Sequence, residues 1–171
     1  LPIFHVNSGY LRGHMCMKSH AWRLGEFADW NTNTVLNACP QLQKLSNGSW
    51  VALEFKTGKW ADQYGKVWII CGPVVNDQKP TEWIGDPGEV KIAIPDAFYK
   101  IVIKKSGSTF EALAFLIPKN DEAGRKAKLE KYLTSVDNIE QLTGLDFLTS
   151  LKDPIEKEIE RRVATEIWNG F

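Results

Sequence analysis

The sequence carries no excess of charge of either sign, which argues against a protein that binds polyanions over its whole surface. Lys and Arg together number 21, and so do Asp and Glu, so the formal net charge is zero. A nucleic-acid-binding domain usually has a basic excess. Any phosphate-binding surface in this chain must therefore be a local concentration of cations.

Cysteine is scarce, and the few residues present do not form a recognised site. Cys16, Cys39 and Cys71 are far apart and lack the C-x-x-C spacing of a zinc site. We interpret them as free or buried thiols, with one disulfide and a spare thiol as the alternative. The redox compartment therefore stays open.

Long apolar runs are also missing, so no membrane partner is expected. No stretch reaches the ~18 apolar residues of a membrane span, and no signal peptide is visible. The chain begins with Leu1-Pro2 rather than Met, which suggests that a leader, a pro-segment or an upstream region has been removed. A secreted or periplasmic location is slightly favoured, with an organelle or the cytoplasm as alternatives.

What is present is the composition of a globular protein. Of the 171 residues, 43% are hydrophobic and 25% charged, with seven Trp and eight Phe, which is enough for a core. No internal repeat or linker tract interrupts the sequence. It predicts a single domain over 1–171.

The hydrophobic pattern predicts an α+β fold, with a largely antiparallel sheet and helices packed on it. Apolar runs predict strands over 66–71, 90–93, 97–104 and 110–117, the first of them buried on both faces. Helical spacing predicts helices over 47–64, with Ser46 or Asn47 as cap, and over 136–142. Residues 1–14 are predicted to be an extended segment and turn, and residues 123–132 to be helical or mixed. A last helix begins at Asp153-Pro154, with one apolar face formed by Ile155, Ile159, Val163 and Ile167.

A first group of candidate site residues is Arg12-Gly13-His14. Histidine takes up a proton near neutral pH, arginine offers a forked cation to phosphate oxygens, and glycine permits a close turn. Alone, the tripeptide is weak evidence, because a single histidine is more often structural. A second group, Asn33 and Asn37-Ala38-Cys39-Pro40-Gln41, suits either phosphate binding or simple turn chemistry.

The third group runs from Ser46 to Glu54. A neutral oxygen at the start of a helix and a carboxylate further along could hold one hard cation, since Mg²⁺ keeps most of its waters. The alternative is a helix cap followed by a solvated glutamate. Each group taken alone therefore has a structural explanation.

The order and spacing of these groups resemble the DNA/RNA non-specific endonuclease family of ββα-metal (His-Me finger) nucleases, which includes endonuclease G. That family carries Asp-Arg-Gly-His, then Asn-x-x-Pro-Gln, then Asn-x-x-x-Trp-x-x-Leu-Glu. The matching stretches here are 11–14, 37–41 and 46–54, and later similarities extend the likeness over about residues 9–151. The resemblance implies the ββα-metal finger fold and a hydrolase acting on phosphodiester bonds.

The resemblance also implies roles for individual residues. His14 is the expected general base, with Arg12, Asn37 and Glu54 as the other catalytic residues. Mg²⁺ is the expected cofactor, or Mn²⁺ or another divalent cation. Its expected ligands are Asn47, Ser46 and, through a water, Glu54. The expected substrate-binding residues are Asn33, Lys56 and Lys59. DNA and RNA are the expected substrates, and a homodimer and a protein inhibitor are further expected partners.

The match departs from the family at three positions, which leaves alternatives open. Leu11 replaces the family Asp, Ser46 the metal-binding Asn and Gly58 an Arg. Only 11 residues precede Arg12, so N-terminal strands are expected to be missing or the branch to be compact. A catalytically weakened nucleic-acid-binding module, or a protein-interaction domain using an aromatic surface, is the alternative. His20 lacks a second ligand at metal spacing and is interpreted as structural.

Overall fold

The computed structural model describes residues 8–76 and 79–169, so the extended segment predicted over 1–14 lies partly outside the described residues. The chain is α+β, as predicted, and its sheets are antiparallel. The strands are β1 (Tyr10–His14), β2 (Ala38–Leu42), β3 (Trp68–Val74), β4 (Trp83–Ile84), β5 (Ile92–Ala93), β6 (Ala97–Ser106), β7 (Thr109–Pro118) and β8 (Leu133–Thr134). The α-helices are α1 (Lys18–Trp22), α2 (Glu26–Asn31), α3 (Gln43–Leu45), α4 (Val51–Tyr64), α5 (Val136–Thr143) and α6 (Asp153–Glu160).

The main sheet has the strand order β3-β6-β7-β8 and separates two hydrophobic cores. Alternate side chains of a strand point to opposite faces. Phe98 and Val102 of β6 accordingly pack with Trp50, Leu53 and Trp60 in the core against α4. The neighbouring residues of β6 pack in the second core with residues of α5. Lys100, which lies between Phe98 and Val102 on the same face, therefore points toward α4.

Two of the predicted strands differ from expectation. The predicted 66–71 strand is β3, an edge strand with partly exposed side chains rather than one buried on both faces. It continues through Gly72 and Pro73 to Val74, because an edge strand tolerates a proline without a backbone N–H. The predicted 90–93 strand is reduced to β5, which pairs only with β4. The predicted strands over 97–104 and 110–117 are confirmed as β6 and β7.

The helix predicted over 47–64 begins later than expected. Regular α-helix starts at Val51, after the short α3 and a π-helical turn over Ser46–Trp50. Gly48 interrupts the helical geometry with φ −106° and ψ −115°. The predicted capping by Ser46 or Asn47 is wrong, because the chain is already helical before α4 and no side chain caps it.

The helices after the sheet are partly as predicted. α5 confirms the prediction for 136–142, with Ser135 capping its start and Gly144 in the left-handed conformation at its end. α6 begins at Asp153 but ends at Glu160, so Val163 and Ile167 do not extend its apolar face. The chain turns back there, and Ile167 packs on the core beside α4. The segment predicted as helical or mixed over 123–132 contains only a 3₁₀ turn, Leu129–Tyr132.

Two predictions from composition can also be compared with the structure. All three cysteines are free thiols, as first interpreted. Within residues 8–76 and 79–169, we find no helix with the length and apolar character needed to span a bilayer.

Candidate active site

Strands β1 and β2 place Arg12 and His14 on one face of a two-stranded ribbon. The register pairs Gly13 with Cys39 and His14 with Ala38. Since side chains alternate along a strand, Leu11 and Gly13 point to the opposite face from Arg12 and His14. The carboxylate that Leu11 replaces would therefore lie on the face of the ribbon opposite to that of His14.

Gly13 is required by the close approach of Gln41. A Cβ atom on Gly13 would overlap the side-chain amide of Gln41, which is itself 1% exposed. The glycine of one motif and the glutamine of the next thus fit together across the ribbon. This contact gives a packing reason for two of the residues on which the family resemblance depends.

Asn37 fixes the backbone that follows His14. Its Oδ1 accepts a hydrogen bond from the Cys16 N–H at 2.8 Å, and its Nδ2 donates to the carbonyls of Cys16 at 2.9 Å and Thr32 at 3.1 Å. The backbone N–H of Met15 donates to the Asn37 carbonyl at 2.9 Å. Asn37 therefore braces the turn after His14 with both ends of its amide.

The backbone of His14 is joined directly to the start of α4. The Trp50 indole Nε1–H donates to the His14 carbonyl at 3.2 Å. Burial lowers the pKa of His14, and the nearby cations Arg12 and Lys18 lower that pKa further. The imidazole is therefore held in the neutral form, which has a free nitrogen lone pair able to accept a proton.

The two candidate metal ligands lie in the π-helical turn, where a second loop supports them. Asn47 is exposed and Ser46 half-buried. The Asn47 carbonyl accepts a hydrogen bond from Arg125 Nε at 2.9 Å, and a Cβ on Gly48 would lie 3.1 Å from the Gly124 Cα. In a regular helix neighbouring side chains point about 100° apart, but Gly48 breaks the helical geometry of this turn.

Glu54 lies in a nearly closed environment with one cation. It is 5% exposed, and its Oε1 lies 3.7 Å from the ammonium nitrogen of Lys100, which is 1% exposed. The same ammonium lies 4.2 Å from the centroid of the Trp50 ring. Burial raises the pKa of Glu54, while the charge of Lys100 acts in the opposite direction.

Lys100 is the residue of this region that the sequence analysis missed. A lysine inside the apolar strand 97–104 was a signal, because Lys is almost never fully buried unless it is paired. Identifying its partner required the sheet, which brings β6 against α4. The pair joins Glu54 to the strand at the centre of the fold.

His20 occupies the space beside Gly58, where the family has an arginine. A Cβ on Gly58 would lie 3.2 Å from His20 Nε2. Burial lowers the pKa of His20, as do Lys100 and Arg23, whereas a hydrogen bond to the backbone of Glu54 raises it. A longer side chain at Gly58 would displace the imidazole.

The predicted substrate-binding residues are less closely connected with His14. Asn33 follows α2 and is exposed, with its Nδ2 donating to the Asp29 carbonyl at 3.4 Å. Lys56 and Lys59 lie two and five positions after Glu54 on α4. At ~100° per residue they are turned from Glu54 by about 200° and 140° around the helix axis. The helix therefore does not bring these two lysines toward the Glu54 side.

The donor types on the segment from Ser46 to Glu54 fit a hard divalent cation. Glu54 Oε1 is buried without a hydrogen-bond partner, so it can accept from a water bound nearby. Asn47 and Ser46 offer neutral oxygens about two helical turns earlier along the chain. Carboxylate, amide and hydroxyl oxygens are the ligands that Mg²⁺ takes in proteins, together with several waters.

A set of exposed aromatic side chains lies on the short helices that follow His14. Trp22 of α1 is 72% exposed, and Phe27 and Trp30 of α2 are 80% and 70% exposed. This set is the aromatic surface on which the protein-interaction alternative depends.

Comparison with known proteins identifies the family of the chain. The family model described as DNA/RNA non-specific endonuclease matches residues 3–154. The chain is 28% identical over 156 residues to a protein named "Nuclease EXOG, mitochondrial" from Danio rerio, covering 86% of this chain and 45% of the relative. It is 29% identical over 173 residues to a nuclease from Nostoc, covering 95% and 59%. It is 27% identical over 153 residues to human mitochondrial endonuclease G, covering 84% and 50%.

The fold also matches a solved structure. A crystal structure of an EndoG/EndoGI complex superposes with a TM-score of 0.74 at 23% identity, covering 87% of this chain and 63% of that chain. This likeness confirms the α+β ββα-metal nuclease fold. The chain spans about half the length of the curated relatives it matches. With the family model matching nearly nine-tenths of its length, the chain belongs to the DNA/RNA non-specific endonuclease family.

Proposed function

We propose that this chain is an endonuclease that hydrolyses phosphodiester bonds of DNA and RNA, using Mg²⁺ or a related divalent cation and His14 as general base. The observation that carries the proposal is the hydrogen bond from Trp50 Nε1 to the His14 carbonyl. It joins the strand of the proposed base to the helix that bears Glu54. The family membership and the relatives named as nucleases support the same activity.

In the proposed reaction, His14 takes a proton from a water, whose oxygen attacks the phosphorus. The bond from phosphorus to the 3′ oxygen breaks, and that oxygen takes up a proton from solvent water, leaving a 5′ phosphate and a 3′ hydroxyl. The neutral state of His14, favoured by burial and by the charges of Arg12 and Lys18, suits it to accept that proton.

The other residues position and neutralise the substrate in this proposal. Asn37 keeps the backbone after His14 in place, and the exposed Arg12, on the same face of β1, offers its guanidinium to a phosphate oxygen. Ser46 and Asn47 would ligate the cation, and Glu54 would accept a hydrogen bond from one of its waters. When bound, the cation would offset negative charge on the phosphate and the leaving oxygen.

The proposed substrate range follows from the kind of contact available. Contacts to phosphate carry no sequence or sugar preference by themselves, so both DNA and RNA are proposed substrates. A homodimer and a protein inhibitor stay predictions from the family resemblance.

The decisive experiment is a plasmid-nicking assay with Mg²⁺ or EDTA, comparing the wild-type chain with His14→Ala. We expect nicking with Mg²⁺ only, and a loss of at least 100-fold in His14→Ala, because general-base catalysis contributes about 10²–10⁴-fold. Glu158→Gln, at an exposed position of α6, is the matched control and should cleave normally.

Binding is measured beside cleavage so that the alternatives give different results. Wild-type protein that binds DNA in a salt-sensitive manner without nicking it would contradict the enzyme and support a binding module. Absence of DNA binding at low salt would support the protein-interaction domain. Unchanged nicking by His14→Ala would refute the assignment of the base.

A further inference from the structure

Five carboxylates converge where α5, the segment after it and α6 meet, on the far side of the main sheet from α4. They are Asp137 and Glu140 of α5, Asp146 of the connecting segment, and Glu156 and Glu160 of α6. We call them the α5/α6 carboxylate cluster. The three motif stretches at 11–14, 37–41 and 46–54 do not include them, and α6 lies almost entirely beyond the matched region, which ends at residue 154.

The cluster consists of two overlapping groups that share Glu160. One ligand oxygen each from Asp137, Glu140 and Glu160 lie within 4.8 Å of one another, and so do oxygens from Asp146, Glu156 and Glu160. Oxygens on opposite sides of a Ca²⁺ ion, at ligand distances of about 2.4 Å, are about 4.8 Å apart. Within each group of three, the spacing therefore allows the oxygens to ligate one shared ion without movement of the backbone.

Glu160 gives independent reason to infer a ligand. The residue is only 6% exposed, and its Oε1 is buried without a hydrogen-bond partner. Glu156 Oε1 is in the same situation. A buried charged oxygen normally has a hydrogen-bond partner or coordinates a metal. Glu156 and Glu160 belong to the same group of three acids, and a cation held by that group would explain two such oxygens.

The protein itself supplies little compensation for this charge. Glu140 Oε1 accepts the backbone N–H of Phe147 at 2.7 Å. None of the ion pairs found among residues 8–76 and 79–169 includes a member of the cluster. Burial raises the pKa of Glu160 to about 7, and the other four carboxylates, Glu140 first among them, act in the same direction.

We propose that the α5/α6 carboxylate cluster binds a divalent cation of the Ca²⁺ type, separate from the catalytic site, and that this ion links α6 to α5. Ca²⁺ takes six to eight oxygen ligands with flexible geometry, which suits several carboxylates from three segments. Mg²⁺ requires near-ideal octahedral geometry and is less suited. The ion would stabilise the fold rather than take part in cleavage.

Thermal unfolding with EDTA or with added Ca²⁺ tests this proposal without any activity measurement. At a Ca²⁺ concentration about 100 times Kd, we expect the Tm of the wild-type chain to rise by about 5–10 °C. In Glu160→Gln the rise should disappear. In Glu158→Gln, on the same helix but outside the cluster, it should remain.

Further variants separate this site from the catalytic one. Asn47→Ala should keep the Ca²⁺-dependent rise, whereas Asp146→Asn, an exposed member of the second group, should reduce it. Calorimetric titration should find one Ca²⁺ ion fewer in Glu160→Gln than in Glu158→Gln. The proposal is overturned if Ca²⁺ leaves the wild-type Tm unchanged, if Glu160→Gln responds like the wild type, or if only Asn47→Ala loses the response.

Discussion

Glu54 and Glu160 are both nearly fully buried, with 5% and 6% of their surface exposed, yet they have opposite electrostatic surroundings. Glu54 faces the ammonium of Lys100 across 3.7 Å. Glu160 is surrounded by four other carboxylates, and its pKa is raised to about 7. Burial acts on both in the same direction, so the difference comes from the neighbouring charges.

This difference indicates two ways in which the fold accommodates a buried acid. At Glu54 the compensating charge is the ammonium of Lys100, a residue of the central strand β6. At Glu160 the compensation must come from a bound proton or from the cation that we propose. We therefore expect the surroundings of Glu54 to change little under most conditions, whereas the contribution of Glu160 to folding stability should change with pH and with divalent ions.

The largest effect should follow from removing Lys100. Lys100→Met leaves Glu54 buried without its cation, and breaking a buried pair in this way costs about 3–5 kcal/mol of unfolding free energy. Urea unfolding at pH 8 would measure the loss. The double variant Lys100→Met/Glu54→Gln should lose less than the sum of the two single variants.

A loss below about 1 kcal/mol in Lys100→Met would contradict the importance of this pair, since it would mean that Glu54 finds compensation elsewhere. The double variant controls for the change of shape that the substitution of lysine by methionine introduces.

An intermediate effect is expected at Glu160, where the substitution should raise stability rather than lower it. In EDTA, Glu160→Gln should raise the Tm at pH 8 by a few degrees, because it removes one of the mutually repelling charges. The folded pKa of about 7 lies above the ordinary value of 4.5. The folded chain therefore binds this proton more tightly than the unfolded chain, and the stabilisation it gives is complete below pH 4.5 and lost as pH rises through about 7.

Thermal unfolding in EDTA between pH 4.5 and 8 would test both the direction of the stability change and the pH range in which it occurs. The Tm of the wild type should fall, relative to that of Glu160→Gln, across this range. A difference that stays constant with pH would show that Glu160 does not titrate there. Glu158→Gln should follow the wild type.

The smallest effect is expected at His14, where cations rather than carboxylates are the neighbours. Its lowered pKa predicts that the imidazole, followed by NMR, titrates below its ordinary value of 6.5. Lys18→Met removes one of the two repelling cations and should move the midpoint upward, because less positive charge then opposes protonation of the imidazole. A midpoint that does not change would show that burial and Arg12 alone lower the pKa of His14.

Local sequence patterns were sufficient to predict the elements in which periodicity and end residues indicate the same structure. The long apolar hairpin of β6 and β7 and the capped helix α5 follow from periodicity, a capping serine and a terminal glycine. The family resemblance correctly identified the fold, although the net charge of zero gave no hint of it. The edges of elements were less predictable: β3 runs on through Pro73, α4 starts only at Val51 and α6 ends at Glu160.

The candidate site was likewise predictable from the sequence only in part. Arg12 and His14 share a strand face because side chains alternate, which the sequence alone predicts once β1 is assigned. The contacts that define their surroundings join distant segments, such as Asn37 with Cys16 and Trp50 with His14. No periodic signal indicates that His20 lies beside Gly58 or that Arg125 holds Asn47.

The sequence by itself determined the family, the alternation of faces in the strands and the presence of unusual charges, including a lysine in an apolar strand and five acids near the last two helices. Only the tertiary structure decided which charges meet. Local propensity acts over a few residues, whereas Lys100 and Glu54 are brought together by packing β6 against α4, and Glu160 meets its four carboxylates because α6 folds back on α5. Whether a buried acid is compensated depends on those long-range contacts.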